Sequence, residues 1–315
     1  MKTAYWLVGI MAAVGWSMTG LAGVAASVED LKREGPASQT LVYREVGGRE
    51  LHMEIYLPDG RKPASPTPAI MMIHGGGWGA PGPFRFAPHG RYFAGRGMVA
   101  VNVEYRLTNP TNSSVQAAVS DCQAAFRYVH AHAADFGIDP QRIAVIGDSA
   151  GGHLAACVGM LPELDAPPWD GGPLPRPAAM ILCNPIVDLV TLDWTHGVPG
   201  VKALLSQPDA DPEAWRERAR KLSPIQFVKP GLPPMLLMQG TEDQCVPVEQ
   251  IDRFAAAVKA AGCACQYERI DGWPHAFVLI GYATDEHSVK ATQIVDRYLA
   301  GLGWLQGEPT IVMGK

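Results

Sequence analysis

Ile143-Ala-Val-Ile-Gly147-Asp148-Ser149-Ala150-Gly151-Gly152-His153-Leu-Ala-Ala-Cys157-Val-Gly-Met160 decides the reading of this chain. A short apolar run breaks at a glycine and continues as a stretch with helical composition, so the order is strand, sharp turn, helix. In Gly-x-Ser-x-Gly the serine occupies a strained backbone position. The flanking glycines let strand and helix pass close together, which holds the hydroxyl up at the carboxyl edge of a sheet. In a chain with 34 glycines among 315 residues the pentapeptide alone is weak, and its weight comes from what surrounds it.

Ala69-Ile-Met-Met-Ile73 is a second continuous apolar run, expected of a strand buried on both faces, and it leads into His74-Gly75-Gly76-Gly77-Trp78. Consecutive glycines after a buried strand let backbone N–H groups point into one space with no Cβ atoms in the way, which is how main chain builds an oxyanion hole. Leu41 to Tyr56 reads as two antiparallel strands turning at Gly47-Gly48, and 98–103 as a buried strand. Val115 to Phe136 reads as a long helix. Further strands are expected at 178–183, 235–239 and 266–270, with helices at 248–261 and 285–302. This alternation predicts an α/β fold, a mostly parallel central sheet with helices on both faces. The stretch 184–234 breaks the rhythm with Pro, Gly, Trp and a short charged helix, and is expected to be a lid insertion.

Composition is ordinary for a globular domain. Net charge is −5, sequence pI about 6.0 and mean hydropathy +0.01, which leaves no basic footprint for nucleic acid. Residues 1–26 carry Lys2, a charge-free run and a small-residue end at Ala25 and Ala26, the pattern of an export signal, with secretion to the periplasm or exterior expected. No lasting membrane insertion is expected after cleavage. The position that a lipobox would need as Cys is Val24. Residues 27–40 read as a mobile lead-in, 41–305 as one α/β domain that includes the 184–234 insertion, and 306–315 as a tail. Six cysteines would enter an oxidising compartment, where Cys245 with Cys263 or Cys265 is the expected bridge; Cys122, Cys157 and Cys183 read as buried hydrophobes. No metal or cofactor is expected, because ligand-spaced Cys or His pairs are missing from the sequence near these cysteines.

A serine hydroxyl needs a base, and the base an orienting carboxylate. Asp243 follows the strand at 235–239, with Glu242 as its rival, and His275 follows the last strand. His153, four residues after Ser149, is expected to pack or hydrogen-bond behind the nucleophile. His74 is expected to brace the glycine loop, and His130 and His132 to lie on the surface. Asp148 reads as structural, and Trp78 and Trp273 as lining the substrate pocket.

His74-Gly-Gly-Gly-Trp78, Tyr105-Arg-Leu107, Gly147-Asp-Ser-Ala-Gly-Gly-His153, Asp243-x-x-Val-Pro247 and Gly272-x-x-His275 together resemble the α/β-hydrolase esterases of the hormone-sensitive-lipase-like group. The likeness extends to secreted bacterial acetyl or feruloyl esterases that trim plant polysaccharides, and covers about 41–302. It implies Ser149 as nucleophile, His275 as base, Asp243 as its partner, and the N–H groups of Gly76, Gly77 and Ala150 as the oxyanion hole. The order Ser, Asp, His is the one this fold uses. The usual helical N-terminal cap of the lipase-like relatives has no counterpart before Leu41, which points to the polysaccharide-esterase branch and an open site. The expected activity is hydrolysis of short-chain, acetyl-sized esters on a small molecule or on polysaccharide such as xylan, through an acyl-enzyme. A prolyl-oligopeptidase-type exopeptidase and a non-catalytic binding protein of the same fold are the alternatives.

Overall fold

A computed structural model describes residues 25–314 apart from 34, 36, 81, 109–113, 165–171 and 193–211. Ten strands are present among them: β1 Ala26–Ser27, β2 Gln39–Val46, β3 Arg49–Tyr56, β4 Thr67–Ile73, β5 Val99–Val103, β6 Ile138–Asp148, β7 Ala179–Cys183, β8 Met235–Gly240, β9 Cys265–Ile270 and β10 Ile311–Val312. The helices are α1 Val28–Lys32, α2 Ala87–Gly95, α3 Val115–Ala131, α4 Ala133–Phe136, α5 Ala150–Met160, α6 Pro212–Lys221, α7 Val248–Ala260 and α8 Asp285–Gly301.

Eight strands form one sheet in the order β2-β3-β5-β4-β6-β7-β8-β9. The hairpin β2–β3 turns at Gly47 and Gly48, with φ of 60° and 75°, and pairs antiparallel to β5; from β5 to β9 every pairing is parallel. The long helix expected at 115–136 is α3 and α4 in succession, closed by Gly137 at φ 71°. Apolar residues on one face of the sheet pack with α3, α5 and α7. Those on the other pack with α1, α2 and α8. The interior strands β4, β5, β7 and β8 are buried almost throughout, which is why they read as continuous apolar runs rather than alternating ones.

The order reverses at β4, which lies between β5 and β6, so the loops leaving β4 and β6 emerge side by side at the carboxyl edge. Ile73 pairs with Gly147 in register. Such a switch point is where open α/β sheets place their sites.

Three expectations are corrected here. The start of the lead-in at 27–40, residues 27–32, is packed, not mobile. Ser27 caps α1 by accepting from the Asp30 N–H, Val28 and Leu31 are buried, and Lys32 pairs with Asp285 on α8 at 2.6 Å. The charged residues dominate the sequence there, and the Val28/Leu31 spacing that puts both on one helical face is easily overlooked. Likewise part of the 306–315 tail is held down: β10 pairs with β1, and Ile311 is fully buried. The expected Cys245 disulfide is also absent, since all six cysteines are free. Cys265 pairs with Met235 at the start of β8, whereas Cys245 follows the end of that strand, so about 17 Å of strand separates them at ~3.3 Å per residue.

The export signal at 1–26 falls almost wholly outside the described residues. Among those described, no helix is long and apolar enough to cross a membrane. Of the 184–234 insertion, both ends are tied to the core. The Val187 and Asp188 N–H groups donate to Gln250 on α7, and the Leu189 N–H donates to Ser223.

Candidate active site

The elbow depends on two glycines. A Cβ on Gly147 would lie 2.0 Å from the Gly151 carbonyl oxygen, and one on Gly151 would lie 2.0 Å from that of Ile73. With neither present, α5 starts directly over the β4–β6 edge and Ser149 is forced to φ 56°, ψ −120°, a region that non-glycine residues rarely occupy. The residue itself is 7% exposed, and every residue of α5 is buried.

Ser149 Oγ lies 2.8 Å from His275 Nε2, and His275 Nδ1 lies 2.8 Å from Asp243 Oδ2. Asp243 Oδ1 accepts from the N–H groups of Cys245 and Val246, both at 2.8 Å, and Oδ2 also accepts from Gln239 Nε2 at 3.0 Å. Every partner of this carboxylate is a donor, so His275 carries its proton on Nδ1 and turns the Nε2 lone pair to the serine hydroxyl. Burial works against a charged His275 ring. The hydrogen bond to Asp243 and the negative charges of Asp243 and Asp148 outweigh it and hold the pKa above the ordinary histidine value. Glu242, the rival acid, points out into solvent.

Beside the serine, Gly76 and Gly77 adopt φ 107° and 59°. Among the described residues no acceptor takes the N–H of either. Ala150 is the first residue of α5, where the N–H has no intrahelical partner and the helix dipole is positive. Gly75 has no room for a side chain, because a Cβ would lie 2.6 Å from the Asp148 carbonyl oxygen and 3.2 Å from Ser149 Cβ. His74 braces this loop as expected. Its Nδ1 donates to the Gly75 carbonyl at 2.8 Å, and its ring stacks on Tyr105 with centroids 4.3 Å apart. Burial pushes its pKa down to about 4, keeping the ring neutral.

Trp78 is misplaced by the sequence reading. It is fully buried, and its indole N–H donates to His153 at 3.2 Å, so it supports the loop from behind. The short run of glycines turns the chain inward before the tryptophan is reached, with Trp78 itself at φ 58°. Trp273 is half-buried and packs against Phe277 and His287 of α8. His130 and His132 are both half-buried.

Three residues near the site carry no sequence signal. Gln239, the penultimate residue of β8, donates to Asp243 and to the Val246 carbonyl. Asn184, at φ 36°, donates to Asp148 Oδ1 at 3.1 Å. Asp121 receives Arg106 of the Tyr-Arg-Leu segment through both oxygens, and Arg44 as well. Polar contacts of this kind, each reaching a residue from another segment of the chain, show only in three dimensions.

Among the described residues, one group has potential metal-ligand atoms within 4.8 Å of one another: Asp243, Cys245 and His275. Two of the three already spend those atoms on each other. Burial first, then the charges of Asp243 and Asp148, push the Cys245 thiol up and disfavour the thiolate a metal would need.

A family signature described as BD-FAE matches residues 53–258, a span that holds the glycine loop, the elbow and Asp243. The chain belongs to the BD-FAE family. Carboxylic ester hydrolase LipN of Mycobacterium tuberculosis is 30% identical over 267 residues, covering 81% of this chain and 65% of its own length. The probable carboxylic ester hydrolase LipM of the same organism is 27% identical over 292 residues, covering 85% and 64%. This BD-FAE member therefore spans a little under two thirds of either relative. Among solved structures, a propionate-bound thermophilic esterase of the Planctomycetes species Thermogutta terrifontis matches with a TM-score of 0.76 at 37% identity, covering 87% of this chain and 97% of that one. The same esterase phosphorylated by paraoxon matches with 0.76 at 36% identity, covering 87% and 98%. The BD-FAE chain described here thus has the α/β-hydrolase fold of the hormone-sensitive-lipase-like esterases.

Proposed function

We propose that this protein is a serine carboxylic ester hydrolase, and the observation that carries the reading is the unbroken relay Ser149–His275–Asp243, with both links at 2.8 Å. Ser149 Oγ attacks the ester carbonyl carbon as His275 Nε2 takes its proton. The oxygen that gains charge is met by the N–H groups of Gly76, Gly77 and Ala150. The tetrahedral adduct collapses as His275 returns the proton to the leaving alcohol. Water then repeats the sequence on the acyl-enzyme and frees the acid. Asp243 stays ionised throughout and offsets the imidazolium. No step needs a metal or cofactor.

The acyl group is short, of acetyl size, and the alcohol includes sugars of plant polysaccharide such as xylan. The propionate- and butyrate-bound forms of the T. terrifontis esterase support a small acyl pocket. The polysaccharide assignment rests on the motif resemblance to secreted acetyl and feruloyl esterases. In this reading residues 1–26 export the protein, and the insertion between Asn184 and Pro234 borders the site as a lid, with Trp273 on the substrate side.

Hydrolysis of p-nitrophenyl esters from acetate to palmitate by the protein and its Ser149→Ala variant tests the proposal. Turnover confined to the shortest chains and lost in the variant supports it. A Ser149→Ala protein of undiminished activity would sink the nucleophile assignment, and a preference for long chains would sink the acyl assignment.

A further inference from the structure

The oxyanion loop continues into the single turn Pro83–Phe86, and the chain beyond His275 continues through Leu279 to Tyr282. These two segments face each other across a cavity of about 260 Å³ lined by Phe84, Arg85, Pro88, Leu279, Ile280 and Tyr282. Its rim is unusual for a soluble surface. Phe84 is 62% and Tyr282 63% exposed, two large rings that bury little of themselves against the protein.

Between them stands Arg85, its guanidinium 5.1 Å from the Tyr282 ring centroid. The side chain folds back over Gly82, where a Cβ would lie 2.7 Å from Arg85 Cδ and Nε, so the glycine fixes its course along the rim. Arg44, Arg96, Arg106 and Arg127 are each paired with a carboxylate. Among the described residues Arg85 has no hydrogen-bond acceptor and no acid; its only contact of that kind is the Tyr282 face. Its charge is felt at Asp148 and at His74, which places it within electrostatic reach of the nucleophile elbow and the oxyanion loop.

A half-buried guanidinium presents up to five N–H donors in a planar fork suited to a carboxylate, and the aromatic faces beside it suit a flat ring. We propose that the Phe84–Arg85–Tyr282 groove is a substrate subsite that holds a carboxylate carried on a ring of the ester, so that the enzyme selects anionic esters over neutral ones. The chain as a whole carries a net charge of −5, so its overall field repels such a substrate and the selection is local to Arg85. This inference rests on the ester-hydrolase reading above.

Two matched substrate pairs test it, one for each side of the ester bond. Phenyl acetate against 4-carboxyphenyl acetate places the carboxylate on the alcohol. p-Nitrophenyl benzoate against mono-p-nitrophenyl terephthalate places it on the acyl group. The ratio of kcat/KM for the anionic ester to that for the neutral one is measured for the protein, for Arg85→Gln and for Arg85→Lys. In one pair that ratio is expected to fall about tenfold in Arg85→Gln, chiefly through KM of the anionic ester, with Arg85→Lys keeping part of it because the charge remains but the fork is lost. The pair that responds identifies the side that occupies the groove. Ratios within about twofold of the parent in both pairs, with Ser149-dependent hydrolysis of the neutral esters intact, would overturn the subsite and leave the ester-hydrolase reading standing. Absence of Ser149-dependent turnover on all four esters would overturn both.

Discussion

The Trp78 indole donates to His153 Nδ1 at 3.2 Å, which ties the glycine loop to the helix that begins after Ser149. His153 Nε2 lies 2.7 Å from the Leu222 carbonyl oxygen and must donate to it. One neutral tautomer satisfies both bonds, and burial, opposed by the Leu222 bond, pushes the pKa of His153 down to about 4. The loop is thus fixed by a bond that a charged His153 could not accept. In Trp78→Phe the bond is lost and the smaller ring leaves a gap, so a buried nitrogen goes unpaired at a cost of about 1–3 kcal/mol in stability, to which the lost packing adds. Because the loop aims the Gly76 and Gly77 N–H groups, kcat is expected to fall roughly tenfold with KM little changed. Urea unfolding and steady-state kinetics check both; a variant that melts lower but keeps full kcat would limit Trp78 to a packing role.

What the sequence made legible follows from which interactions are local. The elbow, the glycine loop and the strands β4, β7 and β8 declare themselves because steric need and burial on both faces leave continuous marks in the chain. Asp243 and His275 are legible as candidates because each follows a recognisable strand. Trp78 was misassigned because the direction of a side chain after three glycines depends on backbone torsions, with φ of 107°, 59° and 58° at Gly76, Gly77 and Trp78, that composition does not reveal. Asn184, Gln239 and Asp121 escaped for a related reason: each acts on a residue from another element. The same holds for β1 and β10, two-residue strands that pair across almost the whole chain length.

In the proposed relay the carboxylate of Asp243 sets the acid limb of activity. His275 must be neutral to accept the serine proton, and its pKa is held above 6.5. Activity should therefore rise with pH through an apparent pKa above that value. Asp243→Asn removes the charge and frees the ring to adopt the other tautomer, so kcat/KM should drop by about 10⁴ at neutral pH while the fold survives. A pH profile of kcat/KM on p-nitrophenyl acetate checks this. A parent acid limb below pH 6 would contradict the assigned relay.

Six free thiols are expected in the folded protein, whichever compartment it reaches. Cys122, Cys157 and Cys183 are fully buried, and burial pushes each thiol well up, so they should react only after unfolding. Titration with a chromogenic disulfide in denaturant should count six per chain, and a reductant should leave the melting temperature unchanged. A count of four, with a reductant-sensitive melt, would restore the Cys245 bridge.

Asp148 couples stability to the site. It is 2% exposed, and burial raises its pKa to about 6 against the opposing effects of His275's charge and the Asn184 hydrogen bond. A carboxyl that binds its proton more tightly when folded contributes stability that is fully present below its unfolded pKa near 3.8 and is lost as pH climbs through about 6. Asp148→Asn cannot ionise, so the stability of the variant relative to the parent should improve between pH 4 and pH 8. A carboxyl raised from 3.8 to about 6 sets the gain on the order of 3 kcal/mol. The same substitution removes a negative charge that favours the His275 imidazolium, so the acid limb of activity should move to lower pH. Urea unfolding at both pH values and a pH profile of kcat/KM read the two effects independently. A stability difference that stays flat with pH would mean that Asp148 ionises freely in the fold, and an unmoved acid limb would mean that its charge does not reach His275.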